Sequence, residues 1–149
     1  MLLDRKSLSL QLAMEASQAA LERAQELGIR ISIAVCDAGG HLIHLAHMDG
    51  VPAHTREIAI DKAYTSACFG FPTNLWAERL NGMSRMVLEG LASRPRMILF
   101  GGGVPVLVDG CTVGAIGVSG GSELQDAVCA EAGAQQVLDR LDADGRARR

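Results

Sequence analysis

The feature that most constrains the fold is a glycine-rich stretch over residues 97–121, MILFGGGVPVLVDGCTVGAIGVSGG. Apolar and β-branched residues are interspersed here with glycines, which is typical of short strands joined by turns and packed closely against other elements. We predict strands over residues 97–100, 104–108 and 111–118. The glycines at 101–103 are predicted to bend the chain, and the Asp-Gly pair at 109 and 110 to form a hairpin turn. This half of the chain is therefore predicted to be a set of hairpin-connected strands.

These glycines match two catalytic motifs only in part. The run at 101–103 lacks the Lys-Ser/Thr pair of a phosphate loop and leads into a predicted strand rather than a helix. The run at 117–121 has the letters of a nucleophile elbow, Gly-x-Ser-x-Gly, but the helix predicted to follow it contains no histidine. We interpret both runs as turns whose bare backbone can form one wall of a ligand pocket. The ligand-contact residues predicted in this region are Gly102, Gly103, Pro105, Ser119 and Gly120.

The remainder of the chain alternates between helix and hairpin patterns. Apolar residues at helical spacing predict a first helix that is capped by Ser7 or Ser9 and stopped by Gly28. Two β-branched runs joined by Asp-Ala-Gly-Gly predict a β-hairpin. Further helices are predicted over about 54–69, 73–80, 84–91 and 122–141. The element order is therefore α-β-β-α-α-α-β-β-β-α, an α+β domain with helices packed on the faces of a sheet.

Length and composition restrict the classes of protein that this chain can represent. A chain of 149 residues fits one domain, with a core at about 7–140 and a flexible tail at 142–149. Because 48% of the residues are hydrophobic but only 3% are aromatic, we expect small apolar side chains to be buried partly in a homo-oligomer. The net charge of −3, without a basic stripe, argues against nucleic-acid binding.

The predicted compartment follows from the N terminus and the cysteines. The first residues, MLLDRKSLSLQLAMEA, contain no signal-peptide core, and no apolar run approaches the length of a membrane span. The four cysteines, at 36, 68, 111 and 129, show no CxxC spacing and are predicted to be buried free thiols. We therefore expect a cytoplasmic protein that does not associate with membranes.

Four histidines lie close together in the sequence: His41, His44, His47 and His54. Strand alternation places His41 and His47 on one face and His44 on the other. His47 and His54 flank a turn, and Glu57 lies one helical turn beyond His54, so the three can form a zinc or iron site. Axial ligation of a haem iron by one histidine is a separate option. The alternative is a group of exposed or hydrogen-bonded histidines near a loop.

Two further charged residues are candidates for a site. Lys62 lies in mid-helix among small residues, where it is either solvated or directed into a pocket or interface. Asp126 lies in the first turns of the last helix, where a carboxylate also complements the helix dipole.

Six segments occur in an order that resembles the GlcG/HbpS-like family: VCDAGGHLI, HMDG, DKAYTSACF, GGGVPVLVDG, VGAIGVSGG and QDAVCAEAGA. The resemblance covers about residues 7–140. It implies a sheet of about five antiparallel strands with helices on its faces, assembled into dimers or larger rings. Members of this family, which also occurs as the C-terminal domain of certain corrinoid adenosyltransferases, are associated with binding haem, iron or cobalamin-type tetrapyrroles, and sometimes with degrading haem. The family's Arg-Met-Asp-Gly turn appears here with His47 in place of the arginine.

Two functions are therefore expected. The first is a soluble oligomeric protein that binds haem or another tetrapyrrole near His47, His54 and Lys62. The alternative is a small-molecule catabolic enzyme, such as an isomerase, lyase or hydrolase, with or without a divalent metal. In that enzyme His47 or His54 would act as general base or metal ligand, Lys62 would steady an anion, and Asp49 would orient a partner. A structural assembly partner without a specific ligand is the third possibility.

Overall fold

A computed structural model describes residues 1–147 of the chain. Its elements in chain order are α1 (Leu10–Leu27), β1 (Ser32–Asp37), β2 (Leu42–His47), α2 (Thr55–Phe69), a 3-10 turn (Thr73–Leu75), α3 (Trp76–Leu80), α4 (Arg85–Ala92), β3 (Gly103–Val108), β4 (Cys111–Ser119) and α5 (Glu123–Ala147). The α+β class is confirmed. No helix within the described part of the chain is long and apolar enough to cross a membrane.

The four strands form one antiparallel sheet in the order β2-β1-β4-β3. Helices α1 and α5 pack on one face, where Ile33, Val35 and Ile116 belong to the larger core cluster. Helix α2 covers the other face, where its alanines meet Ala34 and Ala115. The domain thus has three layers, and the β2 edge of the sheet carries the histidines.

The predicted strand at residues 97–100 is wrong, and the sheet has four strands instead of about five. The backbone of this segment bonds to side chains rather than to a neighbouring strand. The Ile98 amide donates to Thr65 Oγ1 at 3.1 Å, and the same hydroxyl donates to the Arg96 carbonyl at 2.8 Å. Further along, the Gly101 amide donates to Glu123 Oε1 at 2.7 Å. Because α2 and α5 supply these partners, the segment runs between helices and does not extend the sheet.

A β-bulge changes the predicted orientation of the β2 side chains. Val35 pairs with His44 while the next residue of β1 pairs with Leu42, so Ile43 is the extra residue. Ile43 packs against the α1–α5 cluster, whereas Leu45 packs against the α2 cluster. The prediction that Ile43 and Leu45 share one face is therefore wrong. His44 and His47 do lie on opposite faces as predicted, since His44 bonds to Ser17 of α1 and His47 bonds toward α2.

Two helix boundaries test the cap predictions. Gly28 ends α1 in the left-handed conformation, with φ +68°, and Ser9 caps its start by accepting from the Leu12 amide. Helix α5 begins where the Gln125 amide donates to Ser122 Oγ, but it continues to Ala147 instead of ending near Leu141. Residues 142–147 of the predicted flexible tail are thus helical, and residues 148–149 lie outside the described part of the chain.

The glycines of β3 and β4 permit unusually close contact between the sheet and α2. A Cβ on Gly117 would lie 2.5 Å from the Ala63 amide nitrogen and would overlap the Ala59 carbonyl oxygen. A Cβ on Gly103 would overlap the carbonyl oxygen of Lys62 and lie 2.8 Å from the Thr73 side chain. The glycine-rich stretch is therefore required where the backbone of α2 lies directly against the sheet.

The four cysteines are free, but only two of them are buried as predicted. Burial raises the pKa of the Cys36 thiol to about 12 and that of the Cys129 thiol to about 11. Cys68 and Cys111 are exposed, so the prediction of buried thiols is wrong for them.

Candidate functional site

His47 is the last residue of β2 and is held by a chain of side-chain hydrogen bonds. It pairs directly with Ser32 on β1, and its ring Nδ1 lies 2.6 Å from Ser32 Oγ. Ser32 Oγ lies 2.8 Å from Thr55 Oγ1 at the start of α2. Both hydroxyl residues are buried, so β1 and α2 together fix the orientation of the ring.

The direction of this chain determines which ring nitrogen is free. Thr55 Oγ1 donates to the Pro52 carbonyl at 2.7 Å, so its single proton is not available to Ser32. Ser32 must therefore donate to Thr55 and accept from His47, which places a proton on Nδ1. In the neutral ring, Nε2 then carries the free lone pair, the state of a histidine that binds a metal while its other nitrogen donates to a neighbouring group.

His47 is also one of the residues that line a cleft of about 430 Å³ between α1 and the β2 edge. Its ring bonds toward α2 and lies beside this cleft at the edge of the sheet. We call it the His47 cleft; its lining residues are Gln18, Leu21, Gln25, Arg30, Ala46, His47, Met48 and Asp49. Arg30 supplies a guanidinium close to the Gly50 backbone. The turn has His47 at the position where the resemblance implies an arginine. Arg30 therefore supplies a cation at a neighbouring position. The Met48 thioether accepts from the Ile31 amide at 3.3 Å and is turned inward.

The three predicted metal ligands are not brought together. His54 is the exposed residue that precedes α2, and its side chain makes no capping hydrogen bond. Glu57 lies in the first turn of α2. Among the residues that the structure describes, no three His, Cys, Asp or Glu side chains form a group able to hold a metal ion. The expected convergence of His47, His54 and Glu57 is therefore not found.

Lys62 is in the core rather than in the His47 cleft. Its side chain is 1% exposed, and its ammonium group donates to Asp126 Oδ2 at 3.0 Å and to the Val118 carbonyl at 2.8 Å. Burial lowers the pKa of Lys62 and raises the pKa of Asp126, and the attraction between the two charges opposes both shifts. Asp126 also accepts from the Gly121 amide at 2.8 Å. This ion pair joins α2 to α5 through the end of the sheet.

Of the predicted ligand-contact residues of the glycine-rich stretch, Gly102 lies directly beside this ion pair. A Cβ on Gly102 would be 2.6 Å from Lys62 Nζ. Pro105 pairs with Ala115 inside the sheet, and Ser119 is 6% exposed at the end of β4. None of the five lines the His47 cleft, whereas Asp49 does.

Sequence reasoning did not identify Ser32, Thr55 or Arg30. The only signal was a serine at the start of an otherwise apolar strand, which is unremarkable without knowledge of its partners. The contacts that define its role span 15 and 23 residues along the chain. They depend on strand register, which the bulge in β2 obscures.

Comparison with known proteins identifies the same family through its sequence model and through individual relatives. The family model for haem-degrading HbpS-like proteins matches residues 8–135. GlcG of Escherichia coli strain K12 is 39% identical over 115 residues, covering 75% of this chain and 81% of that protein.

Two solved structures have the same fold. A double mutant of HbpS from Streptomyces reticuli matches with a TM-score of 0.81 and 32% identity, covering 90% of this chain and 89% of that one. A PduOC:haem complex matches with a TM-score of 0.78 and 28% identity, covering 87% and 94%. The resemblance seen in the ordered motifs is confirmed. The chain belongs to the HbpS-like family, which carries the description of haem-degrading protein.

Proposed function

We propose that this protein binds haem at the β2 edge beside the His47 cleft, with His47 Nε2 as the ligand of the iron. The observation that carries the proposal is the hydrogen-bond chain from Pro52 through Thr55 and Ser32 to His47 Nδ1. It holds the ring and leaves Nε2 without a partner in that chain. Support also comes from the family description and from the similar chain that was solved with haem.

The charges and donors that line the cleft fit a haem. Arg30 can pair with a propionate, since guanidinium groups bind carboxylates through charge-assisted hydrogen bonds. Met48 already accepts a hydrogen bond through its sulfur, so His47 is the better iron ligand of the two. Haem would supply redox and oxygen chemistry there, while the protein supplies one nitrogen ligand, a cation and a partly enclosed cleft.

Replacing His47 by Ala is expected to weaken haem binding by at least about tenfold, because it removes the imidazole proposed as the iron ligand. Titration of apo-protein with haemin, followed by the Soret band, measures this directly. His41→Ala is the matched control, since His41 is exposed and bonds to Asp37 instead. Absence of a saturable Soret change in the natural protein, or equal affinities for the two variants, would refute the proposal.

The enzyme alternative would use the same nitrogen as a general base. The other residues expected in such an enzyme are less well placed, because Lys62 is paired in the core and the three predicted metal ligands do not converge.

The homo-oligomer also stays a prediction. Exposed Leu10 and Met14 on α1 and Leu42 on β2 are apolar side chains that such an assembly would cover.

A further inference from the structure

A second candidate ligand site lies beside the C-terminal end of α2, away from the His47 cleft. Phe69, Phe71 and Trp76 form an aromatic cluster there, with ring centroids 4.8 to 6.1 Å apart. The chain has only one Trp, one Tyr and three Phe, so most of its aromatic side chains lie in this one place. One pair packs edge to face and the other two are tilted, which are arrangements that aromatic rings favour. The cluster is thus a large apolar surface in a domain otherwise built from small side chains.

A groove of about 350 Å³ runs between this cluster and α4. We call it the aromatic groove; its lining residues are Phe69, Phe71, Trp76, Arg79, Met83, Val87 and Leu91. Helix α4 contributes apolar side chains to it and has no buried residue of its own. Met83 and Val87 remain 41% and 44% exposed. The volume lies near the lower end of the range for small-molecule sites, which suits a ligand with a single ring or a short acyl chain.

Two of the residues that line the groove, Trp76 and Arg79, carry hydrogen-bond donors. Trp76 is 4% exposed, and its Nε1 has no hydrogen-bond partner among the described residues. This nitrogen has almost no accessible surface, so the donor that a molecule in the groove can reach is the exposed guanidinium of Arg79. Arg79 stacks 3.9 Å above the Phe71 ring, and among residues 1–147 it makes no ion pair. No carboxylate lines the groove.

We propose that the aromatic groove binds a small amphipathic monocarboxylate. Its apolar body would lie between the aromatic cluster and α4, and its carboxylate would accept from the Arg79 guanidinium. The positive charge of Arg79 favours an anionic ligand, and the apolar walls of the groove disfavour a fully hydrated anion such as phosphate. This site is independent of haem, because it shares no lining residue with the His47 cleft and contains no histidine or cysteine.

Trp76 is the only tryptophan, so its fluorescence reports on the groove. Octanoate is expected to produce a saturable change, whereas octanol of the same chain length should bind at least about tenfold more weakly. Arg79→Met keeps the apolar stem and should remove this difference between the two probes. Arg85→Met is the matched control, because Arg85 pairs with Glu89 on α4 and does not line the groove. Val87→Phe should fill the groove and abolish the response to both probes.

Three results would overturn the proposal. The first is that octanoate gives no saturable change. The second is that octanol binds as well as octanoate, or that Arg79→Met leaves the preference intact. The third is that Val87→Phe dissociates an oligomer in sedimentation experiments while octanoate fails to bind, which would show that a second copy of the chain covers the groove.

Discussion

Lys62→Met is expected to lower the free energy of unfolding by about 3–5 kcal/mol, because it leaves the Asp126 carboxylate buried without its cation. Lys62 and Asp126 are 1% and 4% exposed, so water cannot replace the lost partner. Urea denaturation at neutral pH measures the loss. Lys6→Met is the matched control, since Lys6 pairs with Asp109 on the surface at 75% and 81% exposure and should contribute little.

The loss in Lys62→Met should depend on pH. Burial raises the pKa of Asp126 and the Lys62 charge lowers it, so removing Lys62 raises it further. A carboxyl whose folded-state pKa lies above its unfolded value of 3.8 binds more protons in the folded state. The variant should therefore recover stability, relative to the natural protein, as the pH is lowered toward 3.8. A loss no larger than that of Lys6→Met, or one that does not shrink at low pH, would contradict this account of the ion pair.

Gly117→Ala is expected to destabilise the domain by about 3 kcal/mol or more, since the added methyl group would overlap the α2 backbone at Ala59 and Ala63. A helix backbone cannot move aside as a flexible side chain can. Gly90→Ala is the control with the opposite sign. Gly90 lies in α4 with no atom within 4 Å of an added Cβ, so this change should stabilise by about 0.5–1 kcal/mol.

Thermal or urea unfolding of the two glycine variants distinguishes close packing from a general effect of replacing glycine. Equal and small changes in both variants would show that α2 is not in direct contact with β4 at Gly117. Loss of soluble protein for Gly117→Ala alone would agree with the structure.

The helices, the two hairpins and the family could be predicted because they depend on local signals. Ser9 and Gly28 at the ends of α1 are examples, since cap chemistry is encoded within a few residues. The fifth strand could not be excluded, because its apolar residues are compatible with a strand. Thr65, more than thirty residues away, supplies the bonds that divert the segment.

The candidate site could be predicted only through His47 and Asp49. The ring orientation of His47 depends on Ser32 and Thr55, which reach it through strand pairing and through the docking of α2. The small residues around Lys62 are compatible with a solvated or a buried lysine, and its partner Asp126 lies 64 residues further along the chain. Spacing in the sequence cannot reveal such a pair, nor can it show that His54 stays at the surface.

The most direct test of the account is rescue of His47→Gly by free imidazole. The small cavity left at residue 47 should admit imidazole, which can replace the lost side chain as iron ligand. The Soret spectrum of the haemin-loaded variant should then return to that of the natural protein as imidazole is added, while His41→Gly should need no rescue. If the His47→Gly spectrum already equals that of the natural protein without imidazole, His47 is not the iron ligand.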